Sequence, residues 1–326
     1  MELLSFIWMG KPLWIWAVFI ILIFGLMVFD LGVLHRKQKE IKISESLWLS
    51  LFYVTMGLTY GAWIWFYMGE TSASEYLTGY LVEKTLSLDN IFVMSLIFNY
   101  FGIAQKYQHR VLFWGILGVV LLRGLMIALG ATLIERFEWV TFIFAGFLIV
   151  TGIKMLVVQN SEPELASNPI LRWMQRHLRI TPKLHGEKFF LRLETSSSSK
   201  KQLWLTPLFL ALILIELADI VFAVDSIPAI FTITQDPYIV YTSNIFAVLG
   251  LRALYFALAA IIHRFHYLKY SLAIVLIFIG SKPFLTWWLG VEKFPASISL
   301  IITIALILSG ILVSLLKTHS SIDGKK

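Results

Sequence analysis

Nine apolar runs divide this chain, each about 20 residues or longer, the length an α-helix needs to cross ~30 Å of hydrocarbon. They fall at approximately 12–34, 46–68, 77–100, 111–134, 139–158, 203–230, 239–262, 268–289 and 296–316. The expected fold is all-α: a polytopic membrane protein of about nine transmembrane helices, with residues 1–326 forming a single membrane domain. Composition agrees, since 58% of residues are hydrophobic, 14% are charged and the mean hydropathy is +0.79. That balance lies outside the range of soluble domains. The first run is too long for the core of a signal peptide and lacks a small-residue cleavage site, so it reads as a retained span. With no cysteine in the sequence, disulfides and thiolate ligands do not enter.

The positions of Lys and Arg orient the spans. With loops labelled alternately from an outside start, the inner segments carry 19 of the 27 Lys/Arg residues. The outer segments hold only Lys11, Arg136 and Lys293. This asymmetry predicts an N-outside, C-inside protein. The net charge of +7 then reflects topology and anionic headgroups, and nucleic acid is not an expected partner.

Against this background, charges inside the spans stand out. Glu83 is followed six residues later by Asp89 and then Asn90; Asp219 is followed six residues later by Asp225 and then Ser226, with Glu216 just ahead. A charge at the bilayer centre costs roughly 2.5–3.5 kcal/mol, which makes each acid a candidate for an ion pathway. Further landmarks recur in order: Arg123 and Arg252, then Gly152-Ile153-Lys154 and Gly280-Ser281-Lys282. Partners lie 136 residues apart for Asp89/Asp225, 129 for Arg123/Arg252 and 128 for Lys154/Lys282. Two three-helix units, 77–158 and 203–289, are therefore expected to repeat each other. Three crossings is an odd number, so the second unit is inverted, the build in which transporters place a substrate near the midplane.

Lipid exposure of nine such charges at ~3 kcal/mol each would exceed a typical folding stability, so they must face one another or a wet cavity. The candidate cation ligands are Glu83, Asp89, Asn90, Glu216, Asp219 and Asp225, with Ser226, Arg123, Arg252, Lys154 and Lys282 supporting them. The arginines can act as structural partners, or as internal counter-charges that occupy the acids when metal is absent. Carboxylate, amide and hydroxyl oxygens suit Mg, Ca or Mn. All seven His fall outside the spans on the inner side, which argues against a Zn or Cu site. Proton and metal would compete for the same oxygens. On a regular helix Glu83 and Asp89 lie ~120° apart, so both can reach one ion only if the helix unwinds or the cavity is wide. Pro228 conflicts with the carbonyl of Val224 and predicts a local break after Asp225.

The inner loop 159–202 is the only sizeable segment outside the spans. Asn168-Pro169 reads as a helix start. From Ile170 to Ile180, apolar Ile170, Leu171, Trp173, Met174 and Leu178 are interleaved with Arg172, Arg176 and Arg179, predicting a basic amphipathic helix on the inner leaflet. Ser196–Ser199 reads as a flexible linker.

Several stretches carry a family resemblance: Thr78-Gly79-Tyr80, Glu83-Lys84, Leu88-Asp89-Asn90-Ile91-Phe92-Val93, Glu216-Leu217-Ala218-Asp219, Phe222 through Ala229, Thr242-Ser243-Asn244 and Leu249-Gly250-Leu251-Arg252. Together they resemble the TerC family, in particular its Alx-type members, over nearly the whole chain. The resemblance implies an inner-membrane protein linked to manganese export and tellurium resistance. It also implies that the acids at Glu83, Asp89, Glu216, Asp219 and Asp225, with Asn90, handle metal. The expectation is a transporter of a divalent cation, Mn²⁺ outward or Ca²⁺ by exchange, with no resident cofactor. Two other classes stay open: a membrane assembly scaffold whose charges only hold the bundle together, and an intramembrane metalloenzyme, for which the spans lack a His-containing zinc motif.

Overall fold

The computed structural model describes residues 6–29, 43–137, 139–157, 169–195, 198–258, 268–290 and 294–323. A two-residue pairing of β1 (Ile7–Trp8) with β2 (Lys11–Pro12) leads into α1 (Leu13–Phe29), followed by α2 (Ile43–Met68), α3 (Glu70–Tyr100), α4 (Gln105–Arg136) and α5 (Trp139–Val157). A short helix, α6 (Pro169–His177), precedes an antiparallel hairpin of β3 (Phe190–Thr195) and β4 (Ser198–Leu205). Four helices complete the chain: α7 (Pro207–Ile233), α8 (Pro237–Leu258), α9 (Leu268–Leu289) and α10 (Ala296–Asp323).

Every expected span is a helix, because a segment in hydrocarbon can satisfy its backbone only internally. Seven of these helices are long and apolar enough to cross a membrane. The shorter α1 falls below that length, and α3 carries Glu70, Glu75, Glu83, Lys84 and Asp89 along its 31 residues. Both α3 and α4 begin about two turns earlier than the hydropathy suggested, so Glu83 lies well inside its helix. Large apolar side chains such as Trp48, Phe66, Val150 and Ile301 point outward, as lipid contact requires.

Helices α3, α4, α7 and α8 pack on one another as a central bundle. Of α8's apolar window, 89% is buried, which makes it the most enclosed of the spanning helices. Outside this bundle, α1 and α2 cover α8 through an aromatic layer of Trp16, Phe19, Tyr60, Tyr76, Tyr238 and Phe246. On the opposite flank α5 packs against α9, and α10 covers α9 and α3.

The α5–α9 contact is reciprocal. A Cβ at Gly152 would sit 2.7 Å from the Ala273 carbonyl oxygen and 2.7 Å from Ile277 Cγ1. A Cβ at Gly280 would sit 2.6 Å from the Ala145 carbonyl oxygen and 3.0 Å from Ile149 Cγ1. Each pair of counterparts (152 and 280, 145 and 273, 149 and 277) is 128 positions apart. Only glycine allows the two backbones this close.

Two expectations are corrected. α7 runs unbroken through Pro228, whose own carbonyl accepts a hydrogen bond from Thr232 Oγ1 at 2.8 Å. A proline deletes one backbone bond, but in an apolar bundle the flanking turns have no better partners than their own. The second half of the serine run is not a linker either: Ser198 and Ser199 belong to β4, which pairs with β3 in a hairpin, whereas Ser196 and Ser197 lie outside the described residues. The expected helix is present as α6, with Leu171 and Met174 buried, but it ends at His177, and Ile180 instead bridges to Leu205; the expected cap, Asn168, lies outside the described residues.

Candidate functional site

Every helix of the central bundle contributes to a single buried cluster: Glu83 from α3, Arg123 from α4, Asp219 from α7 and Asn244 from α8. The side chains of Glu83 and Arg123 are 1% exposed and that of Asp219 is 3% exposed, so bulk solvent does not reach these contacts. Arg123 grips Asp219 with two donors, Nε to Oδ2 at 3.2 Å and Nη2 to Oδ1 at 2.9 Å. Its Nη1 donates to Glu83 Oε1 and, at 2.6 Å, to Asn244 Oδ1. Asn244 returns a bond from Nδ2 to Glu83 Oε2 at 3.2 Å, and Asn90 Nδ2 donates to Asp219 Oδ1 at 3.2 Å. Ser87 Oγ faces Glu83 Oε1 at 3.5 Å, one turn along α3.

A planar guanidinium suits this role because its fork matches two carboxylates at once. Two carboxylates share one guanidinium, so the ionised cluster carries a surplus negative charge in a dry bundle. Such a cluster attracts cations.

Several oxygens on α3 and α7 are buried with no hydrogen-bond partner among the described residues: both carboxylate oxygens of Glu216, Asn90 Oδ1 and Ser226 Oγ. Glu216 stands one turn before Asp219 on α7, and its carboxylate occupies the space left by the missing side chain of Gly118 on α4. Asn90 and Ser226 sit at equivalent places on α3 and α7, each seven residues beyond its helix's clustered acid, Glu83 or Asp219, and so on the same face. Buried oxygens are rarely left unpaired. Hard-cation coordination is one use for them, and their chemistry fits Mg, Ca or Mn.

The sequence-predicted residues therefore divide. Glu83, Asn90, Asp219 and Arg123 come together, and Glu216 and Ser226 extend the same α7 face. Asp89 and Asp225 lie in α3 and α7, and their side chains are outside those described. Arg252 is buried elsewhere, with Nη2 against His109 Nε2 and its guanidinium over the Phe113 ring. Lys282 is buried against α10, donating to Ser299 Oγ at 3.1 Å, whereas Lys154 is exposed on α5. Among the described residues no three His, Asp or Glu side chains gather as a metal centre. Asn244 is the member that sequence reasoning missed as a site residue; its neutral amide carries no mark of burial cost, and only the Thr242-Ser243-Asn244 motif pointed to it. Lys84 was likewise unresolved: its Nζ donates to the Ala247 carbonyl oxygen at 3.0 Å and fills the gap above Gly250.

These features define a class: an all-α polytopic membrane protein whose central helices share a buried, ion-paired acid cluster. The chain belongs to the TerC family, its residues 68–321 matching the model described as "Integral membrane protein TerC family". It is 50% identical over 304 residues to an uncharacterized membrane protein of Rickettsia bellii, an alignment covering 93% of this chain and 98% of the relative. It is 43% identical over 282 residues to a Photorhabdus laumondii protein described as "Putative membrane-bound redox modulator Alx", covering 84% and 86% of the two chains. A Salmonella typhi protein of the same description is 40% identical over 314 residues, covering 92% and 94%. No solved structure matches the chain.

Proposed function

We propose that this chain carries a divalent metal cation across a bacterial inner membrane, Mn²⁺ outward, in exchange for protons. The observation that carries the reading is the four-helix cluster of Glu83, Asp219, Arg123 and Asn244, an acid-rich site in a dry bundle already occupied by a tethered cation. Arg123 acts here as the internal counter-charge that holds the acids when metal is absent. An entering cation displaces the guanidinium and draws on the unpaired oxygens of Glu216, Asn90 and Ser226. Asp89 and Asp225 complete the ligand set by their place in the repeat. Neither lysine serves the ion: Lys154 is exposed near the end of α5, and Lys282 is engaged with Ser299 of α10.

The reciprocal contact of Gly152 and Gly280 supports an inverted pair of three-helix units, 77–158 and 203–289, that rock about the α5–α9 contact to open the site to alternate sides. The Lys/Arg asymmetry supports an outer N-terminus and an inner C-terminus. A redox role of the kind named for the relatives would have to proceed without thiols, because this sequence holds no cysteine. Ca²⁺ exchange would use the same residues, since hard oxygen ligands serve either ion.

One observation favours a second reading. The pairing of Arg123 with both acids is complete in itself, as a purely structural cluster in an assembly scaffold would be. Flux in proteoliposomes separates the two. With Mn²⁺ loaded and a pH gradient imposed, the protein should move Mn²⁺, and Asp89→Asn and Asp225→Asn should each abolish the movement at matched protein levels. A well-folded protein that moves neither Mn²⁺, Ca²⁺ nor Mg²⁺ would establish the scaffold.

A further inference from the structure

The segment between the two units is a built surface. From residue 169 to 205 the sequence holds eight Lys/Arg and two Glu. One of the two, Glu187, is already paired with Arg110 of α4 at 3.3 Å. The segment is seated on the bundle through Leu171, Met174 and Phe189, which share a core with Phe98, Val111 and Leu208 at the ends of α3, α4 and α7. The chain after α6 is tied to the hairpin by backbone bonds, Thr181 N to Leu205 O and Leu205 N to Arg179 O, both at 2.8 Å. Helix and hairpin thus form one unit fixed at the level where spans end.

Exposed apolar and basic side chains lie on both the helix and the hairpin. Ile170 and Trp173 are one turn apart on α6 and are 42% and 56% exposed. On the hairpin, Phe190 and Leu203 are 47% and 57% exposed, and Arg192 stands opposite Leu203 on the same face. Around them Arg176, Lys183 and Lys188 are exposed. Exposed Trp and Phe beside cationic side chains, on a body anchored at the ends of membrane helices, match a bilayer interface: aromatic rings sit at headgroup depth and each basic residue attracts acidic headgroups.

We infer that α6 and the β3–β4 hairpin form a docking surface for anionic phospholipid, with Trp173, Ile170, Phe190 and Leu203 entering the interface and Arg176, Lys183, Lys188 and Arg192 engaging headgroup phosphates. The occupant is the leaflet on the side that the Lys/Arg asymmetry assigns to the inside. The commitment to lipid rests on charge complementarity and on continuity with the spans. The hairpin brings in half of this surface, beyond the single amphipathic helix visible in the sequence. The surface is independent of what the bundle transports.

Because the sequence contains no cysteine, single labels are specific. Trp173→Cys and Leu203→Cys, each carrying an environment-sensitive fluorophore on the full-length protein, are compared in nanodiscs of phosphatidylcholine and of phosphatidylcholine with phosphatidylglycerol. Both labels should shift to the blue and resist aqueous quenchers in the anionic discs, and Arg176→Gln with Arg192→Gln should reverse much of that shift. Labels that stay water-exposed in both discs would overturn the inference and give the surface to a soluble partner. Equal insertion in both discs, unaffected by the arginine substitutions, would overturn its anionic selectivity. Loss of metal flux leaves these readouts unchanged, so this test and that of the transport reading fail separately.

Discussion

Asn244 and Arg123 hold Glu83 between them: the amide donates to one carboxylate oxygen, the guanidinium donates to the other, and the amide oxygen accepts from the same guanidinium nitrogen. Three helices are thereby closed into a ring of hydrogen bonds, and Asp219 ties in a fourth. Asn244→Leu would keep the approximate volume and break the ring. A buried polar group left without its partner costs about 1–3 kcal/mol. A fall in the melting temperature of the detergent-solubilised protein is expected. Asn244→Asp should be worse, since a third carboxylate would face Glu83.

Arg123→Met removes the guanidinium that holds the two acids. Breaking a buried pair by deleting one partner costs on the order of 3–5 kcal/mol, because the remaining charge is uncompensated. The combination with Asp219→Asn should cost less than the sum of the single changes. The transport reading adds a second expectation. With the tethered cation gone, Mn²⁺ should raise the melting temperature of Arg123→Met more than that of the wild type. Equal or smaller stabilisation would count against Arg123 as a stand-in for metal.

The two helix-contact glycines give a sharper stability test. In Gly152→Ala or Gly280→Ala the new methyl would meet a backbone carbonyl oxygen, which cannot swing aside as a side-chain end can. Overpacking of this kind costs about 1–3 kcal/mol. Gly146, on the same helix as Gly152, has nothing within 4 Å of its would-be Cβ. There alanine should be neutral or stabilise by about 0.5–1 kcal/mol through helix propensity. Melting temperatures of the three variants should split two against one.

What could be read in the sequence follows from cost. Glu83, Arg123 and Asp219 announced themselves because a charge in hydrocarbon is expensive, and such residues are placed only where partners exist. The sequence could not say which acid meets which base, because those contacts run between helices, 40 positions apart for Arg123 and Glu83 and 96 for Arg123 and Asp219. Lys154 and Lys282 look equivalent in the chain yet differ in the fold, since α10 covers α9 and supplies Ser299 to Lys282. The hairpin was hidden for another reason. Leu191 and Leu193 alternate as a strand should, but the serines and lysines that follow have the composition of a linker.

Lys84 tests whether every buried charge in the bundle serves the cluster. It adjoins Glu83 in sequence, but its Nζ donates to the carbonyl of Ala247 and lies above Gly250 of α8. Neither contact needs a positive charge, and a carbonyl compensates an ammonium poorly for leaving water. Its volume, by contrast, fills the gap that Gly250 leaves. Lys84→Met keeps the length and removes the charge, so it should be neutral or stabilise by ~1 kcal/mol, in the way apolar replacement of buried ions often does. Lys84→Ala empties the gap and should destabilise by about 2 kcal/mol or more. Thermal melts of the two variants decide the matter: if Met is as damaging as Ala, the ammonium, and not the stem, holds α3 to α8.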